Sequence, residues 1–446
     1  MTTLTQAADD LAHGRTTARA LVETCLAAAE DPSGEGARAF RCLYADQARA
    51  SADAMDALRT AGRAPGPYAG LPFSLKDLFD VAGETTAAGS TVLADAPPAT
   101  AHAPVIQRLL AAGMIPVGRT NMTEFAFSGI GINPHYGTPL SPWNRAEGHV
   151  PGGSSSGAAV SVSDGMALAA LGTDTGGSCR IPAAFCGVVG YKPTARRVPR
   201  DGALPLSTTL DSIGPLANSV TCCAIIDAII AGEPPQAVTP MALRGLRVAV
   251  PGTLVMDDME PAVSEAFGRV LTRLGTQGAR ITYLPLPQFE RISASNAQGG
   301  FSSAESFAWH RTLLAKHADR YDQRVRHRME RGAAITAADY IDLLAARRDI
   351  IASLDEVTAP FDVVAMPTTP ILPPRVTVLV DDAAFFRANG LALRNPSLAN
   401  FLDRCSISIP AHRMGEAPVG FMLMAPAGAD HRLFAIAAAI EALLKE

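Results

Sequence analysis

Apolar residues recur at helical spacing through residues 4–30, and Thr16 or Thr17 is placed to cap a second helix whose stripe is Leu21, Val22, Cys25 and Leu26. A Gly/Pro turn at residue 68 opens a short apolar strand over 71–75. Helical spacing returns over 105–112, and after Gly113 residues 114–117 read as a buried strand. Residues 128–157 then run rich in Gly, Pro, Ser and Asn with no period, and a stretch that long inside a compact domain is usually functional. An Ala-rich helix over 158–164, a strand over 166–171 and a loop over 172–180 complete the first half. In the second half, a strand at 246–250, a helix at 260–274 and a strand at 279–286 form a βαβ pattern, which argues for a parallel pair. Helices are expected from about 304 to 354, short strands at 362–366, 405–409 and 419–425, and an amphipathic helix at the end. Alternating strands and helices with no linker, repeat or low-complexity tail predict one α/β domain over residues 1–446.

Composition narrows the class. Of 446 residues, 48% are hydrophobic and 18% charged, so a large core is available. The 38 basic and 43 acidic side chains leave a net charge of −5, which excludes a basic nucleic-acid-binding surface as the main purpose of the chain. The N-terminal MTTLTQAADD has neither a basic n-region nor an apolar h-region, so no signal peptide is expected, and no apolar run is long enough to predict a membrane span. Seven scattered cysteines without a CxxC pair, and nine histidines without HExxH, predict a reduced cytoplasmic protein with no metal site and no cofactor. Only four of the 38 basic residues are lysines: Lys76, Lys192, Lys316 and Lys445. Heavy arginine, alanine, glycine and proline use fits GC-rich coding, and it raises the question of why lysine persists at these four places.

Three glycine-rich segments carry the chemistry: GLPFSLKDLFD with Lys76, PGGSSSGAA with Ser154, Ser155 and Ser156, and GTDTGGSCRIPAAFCG with Ser178. Glycines before a serine let the backbone approach a ligand closely, so the N–H groups of Thr175, Gly176, Gly177 and Ser178 could converge as an anion nest or oxyanion hole. Two serine-bearing loops and a lysine emerging from an apolar strand point to acyl transfer with a serine nucleophile and a lysine base. The GxSxG match at 153–157 lacks the buried strand a nucleophile elbow needs, and no nucleotide-binding motif occurs.

On these segments, with PAAFCGVVGYKPT and TTLDSIGPL, the chain resembles the amidase signature family, most strongly over residues 68–215. The resemblance implies a mixed, mostly parallel sheet covered by helices on both faces. It implies a triad of Ser178 as nucleophile, Ser154 as bridging serine after a cis peptide, and Lys76 as base, with the oxyanion held by backbone N–H groups of 175–178. Lysine in water has a pKa of about 10.4, so Lys76 must be enclosed and lack a carboxylate partner to act as a base. Asp77 does not conflict if Lys76 ends a strand, since neighbouring side chains then face opposite ways.

Other residues have plainer readings. Arg180 is expected to pair with Asp174, Cys179 to point into packing, Lys192 to be structural, and Lys316 and Lys445 to be solvated. His135 and His149 show no evident carboxylate partner in the sequence and are read as non-catalytic. Thr123, Phe125, Phe127, Ile130 and Ile132 are candidate substrate contacts, joined by the segments around Phe301 and 366–370, and they favour a neutral acyl group. The expected function is hydrolysis of a small-molecule amide, with carbamates and esters sharing the same carbonyl chemistry and a homodimer compatible with the chain. The alternative is the glutaminase-type A subunit of a tRNA-dependent amidotransferase, whose partner would make the nucleic-acid contacts.

Overall fold

The helical stretch over 4–30 forms two helices, Leu4–Ala12 and Ala18–Glu30, with the second capped at Thr17 as expected and Gly14 between them at a left-handed φ of 67°. The Thr17 hydroxyl accepts from the Ala20 N–H at 3.0 Å, as its position suggested. These elements belong to a computed structural model that describes residues 2–445.

The described residues form one eleven-stranded sheet. Its strands are β1 (Phe40–Leu43), β2 (Pro72–Lys76), β3 (Ile115–Thr120), β4 (Ala169–Asp174), β5 (Val189–Lys192), β6 (Ser212–Ala217), β7 (Arg247–Pro251), β8 (Arg280–Leu284), β9 (Val363–Pro367), β10 (Cys405–Pro410) and β11 (Gly420–Ala425). Their order across the sheet is β1-β3-β2-β4-β6-β5-β10-β11-β9-β7-β8. The predicted βαβ unit is present, with the helix Pro261–Thr276 joining the parallel pair β7 and β8.

The sheet is mixed, as expected, but not mostly parallel. Only β3–β2, β2–β4, β9–β7 and β7–β8 pair in parallel; every other junction is antiparallel. The reason is local at β10 and β11, where residues 411–419 are too few for a parallel crossover. Strands β5 and β6 add three more antiparallel junctions, to β4, to each other and to β10, and neither carries a clear apolar run.

Helices cover both faces, and the period-2 alternation of the strands shows why. In β11, Phe421 and Leu423 enter a core shared with the helices Pro104–Ala111, Val220–Ala231 and Asp430–Lys445. Met422 and Met424 enter the opposite core, against Phe289, Leu343 and Phe401. Next to it on that same side, the Ala-rich helix Ser156–Ser163 packs on Val117, Ala170 and Leu216.

Close approach at the middle of the sheet depends on Gly214 of β6, where a Cβ would lie 2.0 Å from the Tyr191 carbonyl oxygen of β5. Gly214→Ala is therefore expected to lower stability by about 1–3 kcal/mol, the usual cost of overpacking. A urea unfolding midpoint equal to that of the unsubstituted chain would contradict this.

Candidate active site

Lys76 is the last residue of β2 and is fully buried. Its Nζ donates to Ser154 Oγ and to Thr173 Oγ1, both at 2.8 Å. Among the described residues no carboxylate lies within salt-bridge distance of it, and burial lowers its pKa to about 8 despite the more distant charges of Asp174 and Asp211. Asp77 does face the other way, toward Arg119 at 3.2 Å and the Gly89 N–H at 3.0 Å.

Ser154 follows a cis peptide at Gly153. The two glycines before it have no room for side chains: a Cβ on Gly152 would sit 2.9 Å from Pro182 Cα, and one on Gly153 would sit 2.6 Å from the Gly131 nitrogen. The Thr123 N–H donates to the Ser154 carbonyl at 3.1 Å, and the Gly153 N–H to the Gly129 carbonyl at 2.8 Å. These contacts hold the serine loop against residues 123–131.

The Ser178 loop is organised by Asp174, the last residue of β4. Its carboxylate accepts from the Gly177 N–H at 2.9 Å, the Cys179 N–H at 3.0 Å, and Arg180 Nη2 at 2.8 Å. Burial opposes its charge, yet Arg180, these N–H groups and Asn400 hold its pKa down at about 2. The expected Asp174–Arg180 pair is thus present. It also commits the Gly177 N–H, one of the four expected to form an oxyanion nest, to the Asp174 carboxylate. The Thr175 hydroxyl donates to Asp211 Oδ1 at 2.5 Å, and burial lifts the Asp211 pKa to about 6. Ser178 and Ser154 come from loops that touch through the Ser155 N–H and the Ser178 carbonyl at 3.3 Å. Their hydroxyls are not hydrogen-bonded to each other; the link formed in the structure is Ser154 to Lys76.

Cys179 is buried with its Sγ toward the Gly214 carbonyl, and burial pushes its thiol pKa well up, so it packs as expected. Lys192 is buried and donates to the Pro193 carbonyl at 2.6 Å, while Lys316 and Lys445 are exposed. The two histidines differ from the sequence reading, since each has a carboxylate nearby: His135 Nε2 lies 2.8 Å from Glu124 and His149 Nε2 lies 3.6 Å from Glu147. Neither lines the space around Ser178.

That space is a cavity of about 220 Å³. Of the candidate contacts, Phe127 lines it; Thr123, Phe125 and Ile130 do not. Phe125 and Ala126 take left-handed φ values of 49° and 60°, so the chain turns sharply here. Phe125 instead packs on His310 with centroids 4.3 Å apart, and Ile130 on Ile181 and Phe185. Ile132 borders a separate cleft of about 770 Å³, and Phe301 and Met366 are in the core. Three residues at the site were not singled out from sequence. Thr173 holds Lys76, and its only signal was its place beside Asp174. Arg328 and Arg331 line the cavity from a charged stretch that reads as a solvated helix. They add positive charge to a pocket whose candidate residues were read as favouring a neutral acyl group.

Among the described residues no group of three or more His, Cys, Asp or Glu could hold a metal ion, and no helix is long and apolar enough to cross a membrane. The family model described as Amidase matches residues 20–434. The chain is 37% identical over 440 residues to the 2-amino-5-chloromuconic acid deaminase of Comamonas testosteroni, covering 96% of this chain and 93% of that one. It is 31% identical to the A subunit of the glutamyl-tRNA(Gln) amidotransferase of Chromohalobacter salexigens, covering 98% and 95%. A crystal structure of an amidase superposes with a TM-score of 0.89 at 31% identity, covering 99% of both chains. A matched family model over nearly the whole chain, with relatives that share its length and its sheet, makes this protein a member of the amidase family.

Proposed function

We propose that the chain is an amide hydrolase working through a Ser178 acyl-enzyme, with Ser154 as the bridging serine and Lys76 as the base. The observation that carries this reading is the hydrogen bond from a buried lysine, free of carboxylate partners, to the Ser154 hydroxyl at 2.8 Å. Neutral Lys76 takes the proton of Ser154 as Ser154 takes that of Ser178. The Ser178 oxygen attacks the amide carbon, and the N–H groups of Thr175, Gly176 and Ser178 hold the oxyanion. The proton returns from Lys76 through Ser154 to the leaving nitrogen as the carbon–nitrogen bond breaks. Water then attacks the acyl-enzyme by the same relay, releasing the acid and restoring Ser178. Thr173 is the positioning residue that fixes the ammonium end of Lys76. Carbamates and esters present the same carbonyl to this machinery. The deaminase relative acts, by its name, on an acid, which is compatible with the arginines at this cavity.

The amidotransferase reading rests on the relatives that carry that name. It requires glutamine hydrolysis that depends on a co-purifying partner. Turnover of simple amides by the isolated chain would set it aside.

A fluorophosphonate is expected to label Ser178 of the purified chain, and Ser178→Ala to abolish labelling and turnover. Lys76→Ala is expected to cut kcat by about 10²–10⁴-fold, the range for loss of a general base, and full activity in that variant would overturn the mechanism. Because the neutral lysine is the base, kcat/KM should rise about tenfold per pH unit below the Lys76 pKa and level off above about 8. A profile flat from pH 6 to pH 9 would be inconsistent with a lysine base.

A further inference from the structure

Two guanidinium groups, one turn apart, stand at the Ser178 cavity without a counter-ion. Arg328, half-buried in the last turn of the helix Gln323–Glu330, lies 4.3 Å above the Phe127 ring and donates to the Phe127 carbonyl. Arg331 stands exposed at the rim and donates to the Ala297 carbonyl at 2.7 Å. Among the described residues neither has a carboxylate within salt-bridge distance, whereas the buried Arg119, Arg180 and Arg404 each have one. Enclosure lowers the Arg328 pKa to about 10, with Arg331 adding to the effect, so both still carry charge at neutral pH. An uncompensated positive charge beside a partly dried cavity favours an anion, and a guanidinium fork matches a carboxylate.

The remaining lining is equally informative. Among the described residues no Asp or Glu borders the cavity; Leu206, Leu210 and Leu393 supply its apolar surface. An ammonium group on the substrate would find no counter-charge there and would sit among cations.

We propose that this cavity selects acyl groups carrying a second carboxylate and no ammonium group, namely monoamides of short dicarboxylic acids, with Arg328 and Arg331 as the specificity-determining pair. The proposal rests on Ser178 being the nucleophile. It separates this chain from a glutaminase, since glutamine carries an α-ammonium beside its carboxylate.

The test uses the full chain and measures kcat/KM for succinamate and glutaramate against butyramide and glutamine, with fluorophosphonate labelling of Ser178 as a separate readout. The dicarboxylic monoamides should be preferred over butyramide by about ten- to a hundredfold, the worth of a charged hydrogen bond. Arg331→Gln and Arg328→Gln should each shrink that ratio, mainly through KM on the anionic substrates. Arg328 also holds the Phe127 carbonyl, so if Arg328→Gln does not fold, Arg331→Gln alone carries the comparison. Glutarate should slow labelling of the unsubstituted chain and lose that effect in Arg331→Gln. Equal or faster turnover of glutamine or butyramide by a chain whose Ser178 labels, or an unchanged ratio in the variants, would overturn the selectivity proposal while leaving the hydrolase reading intact. Failure of Ser178 to label would overturn both.

Discussion

The Asp174 carboxylate is the point on which the site is hung. It lies at the end of the central strand β4, and both it and Arg180 are fully enclosed. Burying such a pair is costly unless every lone pair and N–H is used, and here they are: two loop amides, the guanidinium and the Asn400 amide all converge on it. Asn400 belongs to the helix Pro396–Phe401, so the same carboxylate ties the nucleophile loop to an element more than two hundred residues later. The neighbouring residue on β4 looks the other way. Thr173 receives Lys76, so two consecutive residues of one strand position the lysine on one side and the Ser178 loop on the other.

The alternation of strand and helix was readable, because apolar runs such as 71–75 and 405–409 are short, bounded and β-like. Strand β6 was not, because Pro215 argues against a central strand and Gly214 gives it no side chain to pack. Its partner β5 is four residues long and contains Gly190. Missing these two strands made the sheet look more parallel than it is. The Lys76 environment was accessible from sequence since a strand-end lysine after buried residues has few places to go. Its second partner, Thr173, was not, because facing across parallel strands is settled by register. The pocket wall was the least legible part: VRHRMERG is as polar as any solvated helix, and only tertiary packing turns Arg328 inward.

The scarcity of lysine also takes on a physical meaning. Arginine satisfies the ion pairs at positions 119, 180, 197 and 404, where permanent charge is what the partner carboxylates need. In the proposed mechanism position 76 needs a group that can be neutral part of the time, and burial brings lysine to that condition near pH 8. The second buried lysine, Lys192, meets only a carbonyl and lies away from the cavity, so burial alone does not make a base.

The cavity is assembled from several distant stretches of chain. In the proposed mechanism residues 76–178 supply the base, the bridging serine, the nucleophile and the oxyanion donors, whereas the cavity's positive charge comes from a single turn at 328–331. That turn is held by the ring and carbonyl of Phe127, by the Ala297 carbonyl and by the Ser303 hydroxyl, none of them a partner of Lys76, Ser154 or Ser178. On the proposed reading, chemistry and recognition are therefore separately editable in this architecture. A lineage can then exchange the charge of one helical turn and acquire a new diet without disturbing the bonds that Lys76 makes to Ser154 and Thr173.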